Sequence, residues 1–157
     1  MSWRITVWRG DLDADDETWE PLDETGAGEI LSRVGGIKRE GPDAWTWEGE
    51  RGIFAQITLY SPADDAPVND ITTLVTFEPG HENGKRSDLR VLGDALFEIA
   101  SRAGAGVGIP HERLFTDVHE FVEAGISADP WLRREERTPA KSHVTRRELF
   151  GRLLRRD

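Results

Sequence analysis

The chain has 157 residues, which is enough for one domain whose core needs neither disulfides nor a structural metal. It contains no cysteine, which excludes disulfides, thiolate nucleophiles and Cys-based zinc sites, and no apolar run approaches the ~20 residues of a membrane span. The formal net charge of −10 is unevenly divided, because residues 1–130 carry 26 Asp and Glu against 11 Lys and Arg, whereas residues 131–157 carry 9 Lys and Arg against 4 acids.

The first part of the chain predicts a strand, an acidic loop and a short helix. Residues 4–8 alternate between apolar and polar side chains, as a half-buried strand does. Residues 10–24 hold eight acids and predict an exposed loop. A helix is expected over residues 28–34, because Ile30, Leu31 and Val34 share a face and two glycines follow.

A hairpin and a further strand come next. Residues 44–48 and 52–60 predict two antiparallel strands, and alternate residues of the second would face the core. Those residues are Ile53, Ala55, Ile57 and Leu59. Residues 61–70 contain prolines and aspartates and predict a loop, and residues 71–77 predict another strand rich in β-branched side chains.

Two helices and a tail are predicted in the C-terminal half. The first is capped by Ser87, and glycines 104 and 106 end it; its apolar stripe consists of Leu89, Leu92, Leu96, Ile99 and Ala103. The second follows Pro110 and ends at Gly125; its stripe consists of Leu114, Val118, Phe121 and Val122. Residues 145–156 predict a basic amphipathic helix, since Thr145 and Glu148 form a capping box and Val144 and Leu149 a hydrophobic staple.

These elements predict an α+β fold: a mostly antiparallel sheet of about four strands with helices packed on one face, plus the C-terminal basic amphipathic helix. We divide the chain into an acidic α+β domain, residues 1–125, and a second part, residues 126–157, made of a polar connector and the basic helix.

The acidic loop is the main candidate site. Asp11, Asp13 and Asp15 alternate as at the start of an EF-hand calcium loop, but the sixth position is Asp16 instead of glycine and the twelfth is Leu22 instead of glutamate. The same aspartates, just after a strand, are similar to the nucleophile motif of haloacid-dehalogenase phosphatases, a resemblance that implies a metal-dependent hydrolase. A solvated loop and a protein-docking surface are the other interpretations, and charge runs favour them.

Tryptophans of the predicted hairpin supply a second candidate surface. Trp45 and Trp47 lie on the same face of their strand, where they could fill the core or contribute area and cation–π contacts to a basic partner. The sequence leaves both alternatives open. The predicted partner-binding residues are therefore Asp11, Asp13, Asp15, Asp16, Glu17, Trp45 and Trp47.

Catalytic motifs are missing from the sequence. Neither the His-Glu-x-x-His motif nor a Gly-x-Ser-x-Gly elbow occurs, so we predict no enzymatic activity, no metal and no cofactor. The absence of a secretory signal and of cysteine favours a cytoplasmic protein.

The charge division favours a binding function. An acidic body attracts a cationic partner over distances near the Debye length and repels phosphate, so we expect a basic protein partner, such as a toxin domain, and neither nucleic acid nor membrane. The size, acidity and α+β layout are similar to those of bacterial immunity proteins, which implies an inhibitor that neutralises or regulates its partner. The alternatives are a metal-dependent hydrolase built on the Asp-rich loop and a self-associating accessory or structural protein that forms a homodimer through its C-terminal helix.

Overall fold

The computed structural model describes residues 2–132 as one seven-stranded sheet with helices on one face. The strands are Ser2–Trp8 (β1), Ile37–Gly41 (β2), Ala44–Glu48 (β3), Ile53–Tyr60 (β4), Asp70–Phe77 (β5), Gly106–Ile109 (β6) and Arg113–Leu114 (β7). The helices are Glu24–Ser32 (α1), Glu82–Ala103 (α2) and Val118–Ala128 (α3), with a 3-10 turn at Asp16–Thr18. The strand order is β2-β3-β4-β5-β1-β6-β7, and every neighbouring pair is antiparallel. The predicted α+β class is confirmed.

The core lies between the sheet and the three helices. The period of two in the strands puts alternate residues on the covered face, and the period of 3.6 in α2 puts one stripe of that helix against them. The buried apolar residues of the covered face include Ile5, Val7, Trp45, Trp47, Ile53, Ala55, Ile57, Leu59, Ile71, Val75, Phe77 and Val107. The buried stripe of α2 includes Leu89, Leu92, Leu96 and Ile99, as predicted.

The sheet is larger than predicted, because three strands at its edges have weak sequence patterns. β2, with the sequence IKREG, is mostly polar and forms its backbone hydrogen bonds with β3. β6 contains two glycines; a side chain at Gly108 would collide with the backbone carbonyl of Arg113 in β7. These strands form because they pair with neighbouring strands. Pairing of this kind leaves no alternating pattern in the sequence of the strand itself.

Several helix ends also differ from the predictions. α2 begins five residues before Ser87, whose hydroxyl donates to the Asn83 carbonyl within the helix, and it ends as expected at Gly104 with φ +66°. Gly125 does not end α3; it lies within the helix, where a Cβ would come within 2.8 Å of the Leu89 side chain. Leu114 is exposed in β7 and does not belong to this helix.

The packed part of the chain extends past residue 125, where the polar connector was predicted to begin. α3 continues to Ala128, and Leu132 is buried. The predicted basic helix, residues 145–156, lies outside the described residues. Within residues 2–132, no helix combines the length and apolar character needed to cross a lipid bilayer.

A fully buried ion pair closes the end of the sheet where β5 finishes. Lys85 of α2 donates to Asp129, which follows α3, over 2.5 Å, and both side chains are 0% exposed. The second carboxylate oxygen of Asp129 accepts the Trp131 backbone N–H, and the Trp131 indole donates to the Phe77 carbonyl. This pair joins α2 to the end of α3. Each charged side chain can be buried because the other member of the pair neutralises it.

The core assignment predicts the effect of shortening one α2 side chain. Replacing the fully buried Leu96 by alanine should lower the free energy of unfolding by about 2–5 kcal/mol through loss of apolar contact and creation of a cavity. Val91→Ala, on the exposed side of the same helix, is the control and should change it by no more than about 0.5 kcal/mol. Chemical denaturation that gives equal values for the two variants would contradict the helix orientation.

Removing one member of the buried pair should lower the free energy of unfolding more than replacing both members with uncharged residues. Asp129→Ala should lower the free energy of unfolding by about 3–5 kcal/mol because it leaves an ammonium group buried alone. The double variant Lys85→Met with Asp129→Asn should recover much of that loss, since asparagine still accepts the Trp131 N–H. Glu98→Ala, which breaks the exposed pair with Arg33, is the control and should cost about 1 kcal/mol or less. A double variant no more stable than Asp129→Ala would overturn this account.

Candidate functional site

The acidic loop, residues 10–24, folds back over the sheet face that the helices leave uncovered. Trp8 points to that face from the end of β1, and Trp19 stacks on it with ring centroids 5.5 Å apart. The two indole N–H groups donate to the carbonyls of Asp11 and Ala14. Both tryptophans are buried, so an aromatic stack separate from the main core fixes the course of the loop.

A second loop, residues 61–69, is fastened to the first. The buried Asn69 side chain donates to the carbonyl of Asp16 at 3.0 Å, and the Leu22 N–H donates to the Val68 carbonyl at 2.8 Å. These contacts use amide and carbonyl groups only, so no charged side chain takes part in joining the two loops.

The joined loops collect carboxylates at one end of the sheet, which we call the acidic end. Its members are Asp11, Asp13, Asp15, Asp16, Glu17, Glu20, Asp23, Glu24, Asp64, Asp65 and Asp70. All are exposed except Asp70, which is half-buried. Two cations stand nearby: Arg9, which lies 3.7 Å from the Glu20 carboxylate, and Arg4. Asp16 and Glu17 of the acidic loop line one groove with Asp70, which follows the second loop, so the two loops meet at this end of the sheet.

The pKa of Asp70 is shifted by its surroundings. Burial raises its pKa above the usual range, and the negative charge of Asp16 acts in the same direction. The Thr72 hydroxyl, which donates to Asp70 over 2.6 Å, and the positive charge of Arg4 oppose that shift. A cation brought close to Asp70 and Asp16 would relieve this repulsion.

A groove of about 400 Å³ lies where the acidic loop meets the uncovered sheet face. Asp16, Glu17 and Asp70 line it together with Tyr60, whose side chain is 45% exposed, and Arg4. Carboxylates beside an aromatic ring suit the side chain of an arginine or lysine, through ion pairing and cation–π contact. Tyr60 and Asp70 were not among the predicted site residues; the aspartates of residues 61–70 were the available signal.

Trp45 and Trp47 lie in the core, the first of the two alternatives that the sequence left open. They are 3% and 4% exposed, on the covered face of β3. The Trp47 indole donates to the Gly35 carbonyl, and the Arg39 guanidinium lies over the Trp45 ring at 5.2 Å. They therefore offer a partner very little surface.

A metal-dependent hydrolase, the alternative function, would need several side chains that converge on one metal ion. Throughout residues 2–132, no three His, Asp or Glu side chains are grouped so that they could hold a metal ion. Asp11, Asp13 and Asp15 are all exposed, and no hydrogen bond within the described chain orients their carboxylates toward a common point.

Comparisons of the chain with protein-family models, curated proteins and solved structures found no match.

This geometry predicts the response to divalent cations. Millimolar calcium or magnesium should leave the melting temperature unchanged, because a diffuse set of carboxylates gives no tight site. A bound ion at a hundred times its dissociation constant would instead stabilise the fold by about 2.7 kcal/mol. Calorimetry showing one stoichiometric, micromolar site would contradict this prediction and favour the hydrolase.

Proposed function

We propose that this protein is a small cytoplasmic binding module, without enzymatic activity, that uses its acidic end to neutralise or regulate a basic protein. The observation that supports the proposal most directly is the joining of two acidic loops by uncharged anchors, the Trp8–Trp19 stack and the Asn69 side chain. Apart from Glu20, Asp23 and Asp70, the carboxylates of the acidic end make no hydrogen bond or ion pair with another described residue, which leaves them available to an incoming cationic group.

Electrostatics gives this surface its role in association. Charges of one sign concentrated on one end attract an oppositely charged partner and raise the association rate, an effect that salt screens over about 8–10 Å. The groove beside Tyr60 and Asp70 then suits one arginine or lysine of the partner as an anchor. Interface anchors of this kind, at the centre of a patch, contribute most of the affinity in many complexes.

The partner class follows from the sign of the charge. A phosphate backbone would be repelled by the same surface, so a basic protein is favoured over nucleic acid. A toxin domain is the class suggested by the similarity of size, acidity and layout to bacterial immunity proteins. In that role the bound protein would block a cationic surface that the toxin needs for its own substrate.

Association kinetics across a salt series, against a partner recovered by pull-down from native lysate, test the proposal. The triple variant Asp13→Asn, Asp15→Asn and Asp16→Asn should lower the association rate constant about tenfold or more at low salt. Its stability should hardly change, because none of the three carboxylates pairs with another described residue and exposed charges contribute little to folding.

A matched triple variant controls for net charge alone. Glu48, Glu50 and Glu78 are exposed at the opposite end of the sheet, and their replacement by glutamine changes the total charge by the same amount. We expect this control to slow association far less than the loop variant. Equal effects would show that the acidic end is not the docking surface, and an acidic partner or a nucleic acid would overturn the proposed function.

A further inference from the structure

A groove of about 790 Å³, separate from the one at the acidic end, lies where α1 passes over the edge of the sheet formed by β2 and β3. We call it the arginine groove, because its charged lining residues are Arg33, Arg39 and Arg102 against Glu24 and Glu29. Residues 2–132 as a whole carry 11 Lys and Arg against 26 acids. The arginine groove is therefore a place where positive charge is concentrated in an otherwise acidic domain.

Arg39 has no carboxylate partner among the described residues, although its guanidinium is held in place. Its Nε and Nη2 atoms donate to the carbonyls of Gly41 and Pro42 at 3.0 and 2.8 Å. The guanidinium lies 5.2 Å from the centre of the Trp45 ring. These hydrogen bonds use two of the five guanidinium N–H groups, so three remain available. A side chain already fixed in this way loses little conformational entropy when it binds an anion.

The other two arginines of the groove are neutralised to different degrees. Arg33 donates to the Glu98 carboxylate at 2.9 Å. Arg102 lies 3.8 Å from the Glu29 carboxylate, which is too long for a hydrogen bond, and both of these side chains are at least half exposed. An exposed ion pair of this kind contributes little free energy. An anion in the groove can therefore be bound by Arg102 as well as by Arg39.

Gly28 keeps the wall of the groove open. It lies within α1, where glycine is less favourable than alanine because it lowers helix stability. Its backbone does not have a positive φ, and an added Cβ would meet only the Trp45 ring, at an ordinary contact distance of 3.9 Å. By contrast, a Cβ at Gly26 in the same helix would collide with the Asp23 side chain. The described packing therefore does not require a glycine at position 28, and the missing side chain leaves space for a ligand.

We propose that the arginine groove binds a small organic anion, whose phosphate or carboxylate group pairs with Arg39 and Arg102. Guanidinium groups recognise both kinds of anion through paired, charge-assisted hydrogen bonds. The volume of the groove lies within the range of about 300–1,000 Å³ that is usual for small-molecule sites, so the rest of the ligand can lie beside Gly28 and Pro42. This site goes beyond the proposed function, because it needs no basic protein and shares only Glu24 with the acidic end.

An NMR titration of the full chain tests this proposal with two probes, phenyl phosphate and benzoate, which share a ring and differ in the anionic group. At least one probe should shift the backbone amide signals of Thr25, Gly28 and Arg39 in a saturable manner, with a dissociation constant of about 1 mM or less. The probe that binds more tightly identifies the anionic group that the groove prefers. Absence of saturable shifts at these residues with both probes at about 10 mM would overturn the proposal.

Matched variants separate the arginine groove from weak binding to arginines elsewhere. Arg39→Gln should weaken binding of the tighter probe at least about tenfold, because it removes the fixed guanidinium. Arg90→Gln is the control and should leave the affinity unchanged. Arg90 is exposed on α2, outside the groove, and it also lacks a carboxylate partner among the described residues. Glu29→Gln should strengthen binding about two- to fivefold, since it removes a competing partner of Arg102.

Gly28→Leu tests the groove without altering any charge. It should weaken binding at least about tenfold by filling the groove, and thermal melting should show a folded protein, because leucine favours a helix more than glycine does. Equal affinities for Arg39→Gln and Arg90→Gln, unchanged affinity for a folded Gly28→Leu, or weaker binding for Glu29→Gln would each overturn the proposal. Neither probe is a basic protein, so these outcomes leave the proposed function unaffected.

Discussion

Burial of one face of β1, β4 and β5 beneath α2 and α3 is the constraint on which the other features of the structure depend. It uses the alternate residues of each strand, such as Ile57 and Val75, together with the α2 stripe that contains Leu96. The helices cover only that face, so apolar side chains on the other face of the sheet need separate contacts to be buried. Trp8 obtains them by stacking with Trp19, and this second small cluster is what directs the acidic loop.

The acidic end stays folded despite repulsion among its carboxylates because its anchors are uncharged. Asn69 and the two indoles bond to backbone carbonyls, and those contacts are insensitive to the charge of the side chains around them. The exposed carboxylates are individually screened by water and salt, so their mutual repulsion is modest in the free protein. That repulsion favours any cationic partner, since pairing relieves it.

The buried pair at the opposite end of the sheet is built on the reverse principle. Lys85 and Asp129 are isolated from water and bond directly to each other, so their charges hold α2 against the end of α3 and attract nothing from outside. The same chain therefore uses charge in two ways. At one end it is sequestered as structure, and at the other it is displayed for binding.

The hairpin and the helix stripes could be predicted from the sequence because their patterns are local. The alternation in Ile53–Tyr60 and the three- and four-residue spacing in α2 depend only on the geometry of a strand and a helix. The edge strands could not be predicted in that way. Ile37–Gly41 has three charged residues among its five, and it becomes a strand because β3 supplies hydrogen-bond partners.

The candidate site divides along the same line. The sequence by itself determined that residues 10–24 are rich in acids and that these acids are exposed, because charged side chains remain in water. Only the tertiary structure decided that residues 61–70 join them and that Tyr60 lies beside them. Only the tertiary structure, too, placed Trp45 and Trp47 in the core. Their alternation is the same whichever face is covered, and which face that is depends on where distant helices pack.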